Sequence, residues 1–111
     1  MKTAIIGSRT FNDYAFMCKK LQDFNITEVI SGGAKGADTL AEAYAIQFEI
    51  PLTVFLPNWN KHGKSAGFVR NKEIVEHAEV VVAFWDGYSK GTEHSINIAR
   101  AMKKVVHIIL V

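Results

Sequence analysis

Three things are scarce in this chain. Its single cysteine, Cys18, excludes an internal disulfide and any cysteine metal cage. Only two prolines interrupt it, Pro51 and Pro57, and no apolar run approaches the roughly 20 residues needed to span a membrane. Excess charge is the third shortage: 13 Lys and Arg against 11 Asp and Glu leave a formal net charge of +2. That excludes a strongly basic nucleic-acid arm and leaves room for a local basic patch. The opening "MKTAIIGSRT" does not read as a signal peptide, because its apolar run stops at Gly7. The expected address is cytoplasmic, with no membrane partner.

What is present is a core. Hydrophobic residues make up 49% of 111, enough for one domain spanning 1–111. Short β-branched runs predict strands at Thr3–Gly7, Thr27–Ser31, Leu52–Leu56, Glu79–Trp85 and Lys104–Val111. They are nearly continuous in apolar residues rather than alternating, as in strands covered on both faces. Helical patterns separate them. Tyr14, Met17, Cys18 and Leu21 have one-face spacing, with Thr10 and Asp13 placed as a capping box. Further helices are expected over Asp38–Phe48, Lys64–His77 and Thr92–Met102. Strict alternation predicts an α/β fold: one Rossmann-like three-layer domain, a five-stranded parallel sheet in order 3-2-1-4-5, and about four helices. Ligands bind such sheets beyond the carboxyl ends of the strands, where the order reverses. Here the reversal lies between strands one and four.

Three glycine-bearing loops should meet there. After strand one, "GSRTF" offers Gly7 for a sharp exit, the Ser8 hydroxyl and the Arg9 fork of donors for phosphate. After strand two, "SGGAKGAD" places Gly32, Gly33 and Gly36 before a helix start, where free amides bind anions. It is neither a Walker A loop nor GxGxxG. On this reading Gly33→Val abolishes ligand binding without unfolding the domain. Lys35 is a phosphate partner or a solvated loop charge; Asp38 holds a ribose hydroxyl or caps the helix. After strand four, "WDGYSKGTEH" repeats the arrangement with Asp86, Gly87, Ser89, Gly91 and Thr92. A long connection, Pro57–Asn71, adds Trp59, Arg70 and Asn71. Trp59 either stacks on a base or clamps the loop.

Taken together, "GSR", "SGGAKGAD", "P-x-W…GKSAGFVRN" and "FWDGYSKGT" resemble the YspA/YAcAr-type branch of the SLOG superfamily. The resemblance covers nearly the whole chain in order. It implies a Rossmann-like fold and a nucleotide or nucleotide-derived ligand, often in a conflict or phage setting. It also implies Gly7, Ser8, Arg9, Gly32, Gly33, Gly36, Asp38, Gly87, Ser89, Gly91 and Thr92 as contacts. The superfamily includes Lonely-Guy phosphoribohydrolases and DprA proteins. The Lonely-Guy loop "PGGxGTxxE" is only half kept. Aligning its Gly-Thr with Gly91-Thr92 puts Ser95 in place of the glutamate, and Glu93 comes two residues early, about 200° around the helix.

The leading expectation is therefore a binder of a nucleotide or ADP-ribose-type small molecule, acting as sensor, sponge or processing domain, with a possible homo-oligomer. An N-glycosidase acting on a nucleoside monophosphate is the enzymatic alternative; its carboxylate would be Asp38, Asp86 or Glu93. Single-stranded nucleic acid is the third, tracked by Lys61, His62, Lys64, Arg70 and Lys72. No metal and no cofactor is expected: His62, His77, His94 and His107 lack ligand spacing, and His107 falls in a predicted core strand.

Overall fold

The computed structural model describes residues 1–111. β1 (Lys2–Gly7), β2 (Glu28–Ser31), β3 (Leu52–Val54), β4 (Val80–Trp85) and β5 (Val105–Leu110) form one parallel sheet. Its order is the predicted β3-β2-β1-β4-β5. Four long helices connect the strands: α1 (Tyr14–Leu21), α2 (Ala37–Gln47), α4 (Ala66–His77) and α5 (Lys90–Ala101). A short helix, α3 (Trp59–His62), and a 3-10 turn at Gly63–Ser65 precede α4.

Each face of the sheet carries its own half of the core. Ile5, Val29, Val82 and Phe84 pack with Met17 and Leu21 of α1 and Ala41 and Tyr44 of α2. Ala4, Ile6, Ile30, Val81 and Ala83 pack with Ile74 and Val75 of α4 and Ile96 and Ala99 of α5. Neighbouring residues of one strand thus point into different halves, which is why the strands read as unbroken apolar runs. β5 departs from this. It is an edge strand, and its His107 is exposed, edge-on to Phe24 at 5.0 Å, rather than in the core.

Helix starts were set by local chemistry that spacing only partly shows. Asp13 is itself the cap of α1, its carboxylate accepting from Phe16 N at 3.0 Å, in place of the Thr10–Asp13 box. Asn58 caps α3 by accepting from Lys61 N at 3.1 Å. The long connection after β3 is therefore largely ordered helix, and α4 begins two residues after Lys64. Trp59 is 60% exposed, so it does not clamp the loop.

The glycines of the strand-two loop are occupied by the protein itself. Gly36 has φ +78°, and a Cβ there would collide with the backbone of Ser8 and Arg9. Gly33 has φ +71°, and a Cβ there would strike the Leu56 side chain. The expectation for Gly33→Val is corrected accordingly: the exposed Leu56 side chain can move aside, but a β-branched residue at φ +71° is strained and destabilises the fold, so a loss of binding there would say nothing about a ligand. Gly36→Ala is expected to lower unfolding free energy by about 2 kcal/mol or more, since strain and a backbone collision combine. Gly63→Ala has φ +57° but open space around it, so only the conformational cost of about 1 kcal/mol applies. Urea denaturation of the two variants checks the ranking.

Candidate functional site

A cavity of about 290 Å³ opens at the carboxyl ends of β1 and β4. Its lining comes from four places: Ile6, Gly7 and Arg9 at the end of β1, Ala34 and Asp38 after β2, Arg70, Asn71 and Ile74 on α4, and Ser89 to Thr92 with Ser95 at the start of α5. This is the switch point of the sheet order.

Ser8 holds the loops at this point. Its backbone N donates to Phe84 O at 3.0 Å, its carbonyl accepts from Ala37 N at 3.2 Å, and its hydroxyl accepts from Asp86 N at 3.0 Å. The loop after β4 is then folded on itself. Asp86 Oδ1 accepts from Tyr88 N and Ser89 N, both at 2.8 Å, and Trp85 Nε1 donates to Ser89 O at 3.1 Å. These two amide bonds lower the Asp86 pKa below its ordinary value.

α5 starts with its donors free. Ser89 stands at the cap position but makes no capping bond; its hydroxyl faces Thr92 Oγ1 at 3.2 Å. Glu93 N is the first amide to bond back, to Ser89 O at 3.1 Å. The amides of Lys90, Gly91 and Thr92 precede it, at the positive end of a 12-residue helix. A Cβ on Gly91 would meet no protein atom. Arg9 and Lys90 line the same cavity, are exposed, and have no protein partner for their charges. The start of α2 is different. Its first amide, Ala37 N, is taken by Ser8 O, and Asp38 lies in its first turn.

Asp38 is 7% exposed. Its Oδ2 accepts from Ala34 N at 3.2 Å. Arg70 approaches it from α4 without forming an ion pair with it. The guanidinium Nη1 donates to Gly32 O at 2.5 Å and Nε donates to Asn71 Oδ1 at 3.0 Å. The point that a Gly32 Cβ would take is 2.8 Å from Arg70 Nη1 and 2.9 Å from Asp38 Oδ2. Glycine at 32 is what lets the two side chains converge. Burial pushes the Asp38 carboxyl up to about 6, against the opposing pull of the Ala34 amide and the Arg70 charge. Desolvation likewise lowers Arg70 from its ordinary value. Asn71 completes the wall, its Nδ2 lying 3.5 Å from Gly91 O and 3.3 Å from His94 Nδ1.

Of the predicted site residues, Gly7, Arg9, Asp38, Arg70, Asn71, Ser89, Gly91 and Thr92 line the cavity. Ser8, Gly32, Gly36 and Asp86 lie behind it as its scaffold, in the bonds and packing given above. Gly33, Lys35, Trp59 and Gly87 are exposed and outside the lining. Sequence reasoning missed Lys90, Ser95, Ile74, Ala34 and Ile6 as lining residues. Lys90 was legible: it sits at the helix start beside Gly91. Ile74 and Ser95 were not, because both also read as ordinary helix-face residues.

This geometry is that of a SLOG-type Rossmann-like domain, and comparison with known proteins agrees. Residues 1–62 match the family YAcAr, described as "YspA, cpYpsA-related SLOG family", and the chain belongs to that family. The Gene 61 protein of Mycobacterium phage D29 is 33% identical, over 89% of this chain and 88% of that protein. Among solved structures, DNA processing protein A from Helicobacter pylori, described for its single-stranded DNA binding mode, superposes with a TM-score of 0.74. It is 21% identical; the match covers 97% of this chain and 64% of the other, and it shows the fold alone.

The Asp38 carboxyl has an unfolded value near 3.8 and a folded value of about 6. Between those values the folded chain binds more protons, so this group's contribution to stability falls as pH rises across that window. A shift of that size corresponds to about 3 kcal/mol. Asp38→Asn keeps an acceptor for Ala34 N and removes the titration. The variant is expected to be more stable than the parent at pH 7, by up to about 3 kcal/mol, with the gap closing toward pH 4. Paired melting curves across pH check the sign, and a gap that does not change with pH contradicts it.

Proposed function

We propose that this domain binds a phosphate-bearing small molecule of the nucleotide or ADP-ribose type, with its phosphate on the start of α5. The observation that carries this reading is the uncapped helix start. Three amides, at Lys90, Gly91 and Thr92, open into a cavity beside two unpaired cations, Arg9 and Lys90. Helix amides and flanking cations are the usual phosphate receptor, and side-chain-free Gly91 leaves the approach clear. The strand-two loop, whose first helical amide is spent on Ser8 O, contributes Asp38 and shape rather than a second phosphate cradle. Family membership supports a nucleotide-derived ligand. The domain would act as a sensor or sponge, or as a processing domain if turnover occurs. A hydrolase would have to use Asp38, since neither Asp86 nor Glu93 lines the cavity and Ser95 does.

One observation favours a second reading, single-stranded nucleic acid. Trp59, Phe68 and Tyr88 are 60%, 57% and 84% exposed. They sit in the segments flanking the cavity, with Lys61 and Lys64 exposed nearby in the chain. Exposed aromatics among cations suit base stacking along a strand, and the structural relative above is described for its single-stranded DNA binding mode.

The test is a melting-temperature series with AMP, GMP, ADP-ribose, cyclic ADP-ribose and NAD, each mixture then analysed by mass spectrometry. A shift with the ligand recovered intact is the expected result. A shift with release of free base assigns a hydrolase. No shift with any of them, together with salt-dependent binding of an oligothymidylate, favours the second reading. Gly91→Ala separates binding from folding. Its stability is expected to stay within about 0.5 kcal/mol of the parent, while affinity for the phosphate ligand falls by about tenfold or more.

A further inference from the structure

The phosphate reading leaves one feature of the cavity unexplained. Among lining side chains whose charged members are otherwise Arg9, Arg70 and Lys90, there is one carboxylate, Asp38. A carboxylate inside a phosphate site repels the phosphate, so an anion receptor is weaker for having it. It is also more than nine-tenths buried, and its desolvation is resisted only by the Ala34 amide, Arg70 and the loop backbone. The local structure makes room for it: residue 32 carries no side chain, and Arg70 crosses from α4 to stand beside it.

We propose that Asp38 accepts a hydrogen bond from a ribose hydroxyl of the bound ligand, so that the site selects ribonucleotides over their deoxy counterparts. This rests on the phosphate reading given above. A carboxylate is acceptor-only, so the ligand group it meets must be a donor. Within a nucleotide the candidate donors are sugar hydroxyls and base N–H groups. The size of the cavity decides between them. At about 290 Å³ it lies at the lower edge of ligand pockets, which run from about 300 to 1,000 Å³. Asp38 and the free amides of α5 line this one small space. The part of a nucleotide bonded directly to its phosphate is the sugar, and it shares the space; the base extends toward the rim. Asp86, the acid of the loop after β4, has Oδ1 already engaged by two amides and does not line the cavity. A hydroxyl donated to Asp38 replaces hydration that burial has removed, and a deoxy sugar leaves the carboxylate without it. The acid is held by the Ala34 amide, and Arg70, fixed by its own bonds to Gly32 O and Asn71 Oδ1, lends it a nearby positive charge without having to reach the phosphate.

The test compares AMP, GMP, CMP and UMP with their 2′-deoxy forms, and AMP also with its 3′-deoxy form. Affinities are measured by calorimetry on the parent chain and on Asp38→Asn, with inorganic phosphate as a probe of the α5 start alone. For any monophosphate that binds, at least one deoxy form is expected to bind roughly tenfold more weakly or worse. In Asp38→Asn the ribo-to-deoxy ratio is expected to fall toward one, with binding of inorganic phosphate kept or strengthened because the repelling charge is gone. A purely structural Asp38 would weaken ribo and deoxy forms alike and leave their ratio unchanged; that result overturns the inference. So does equal binding of ribo and deoxy forms by the parent chain, which would leave the phosphate reading standing. If neither inorganic phosphate nor any monophosphate binds, the phosphate reading falls first and this inference with it.

Discussion

Ser8 ties together the three segments that make the cavity. Its backbone N is bonded to the end of β4, its carbonyl to the start of α2 and its hydroxyl to the loop that leads into α5. None of these bonds could form if the backbones were held apart. Gly7 has no Cβ because Phe84 O and Ala37 Cβ occupy that space, and Gly36 has none because Ser8 and Arg9 do. The residue is fully buried within a chain of strand, turn and helix backbones. Buried polar groups of this kind are stable only when each is satisfied, and together they define one arrangement of the loops. The cavity is what remains between segments so tied.

Its electrostatics follow from what the scaffold consumes and what it leaves. The amide at the start of α2 and the carboxylate of Asp86 are spent on internal bonds. The amides at the start of α5 and the charges of Arg9 and Lys90 are not. The positive end of one helix and two cations therefore face the same small volume as one desolvated acid. Arg70 relieves part of that acid's burial, at the cost of its own hydration. Such opposed groups, packed close without neutralising one another, are suited to a ligand that brings both an anion and a donor.

Much of this was legible in the sequence because it depends on local pattern. Strand runs of β-branched residues, helical spacing and their strict alternation were enough for the sheet order, since right-handed crossovers permit few alternatives. "GSR", "SGGAKGAD" and "DGYSKGT" marked the three loops, and eight of the residues singled out do line the cavity. The role of the glycines was not legible. A glycine that admits a ligand and one that admits a neighbouring backbone look the same in sequence. Here Gly33 and Gly36 admit the protein and Gly91 faces open space. His107 was read from hydrophobic pattern as part of a core strand, yet it is exposed on an edge strand, and of the two alternatives for Trp59 its exposure on a short capped helix removes the loop clamp.

The sequence by itself determined the α/β class, the parallel order and the end of the sheet where a ligand would lie, because these follow from periodicity, chirality and chain connectivity. Only the tertiary structure decided which helix start kept its first amide free and which carboxylate came to lie near an arginine. Those outcomes depend on contacts between residues far apart in the chain: Ser8 with Ala37 and Asp86, and Gly32 with Arg70. Spacing along a sequence carries no record of such meetings, since they are set by how close two backbones can come once the core has closed.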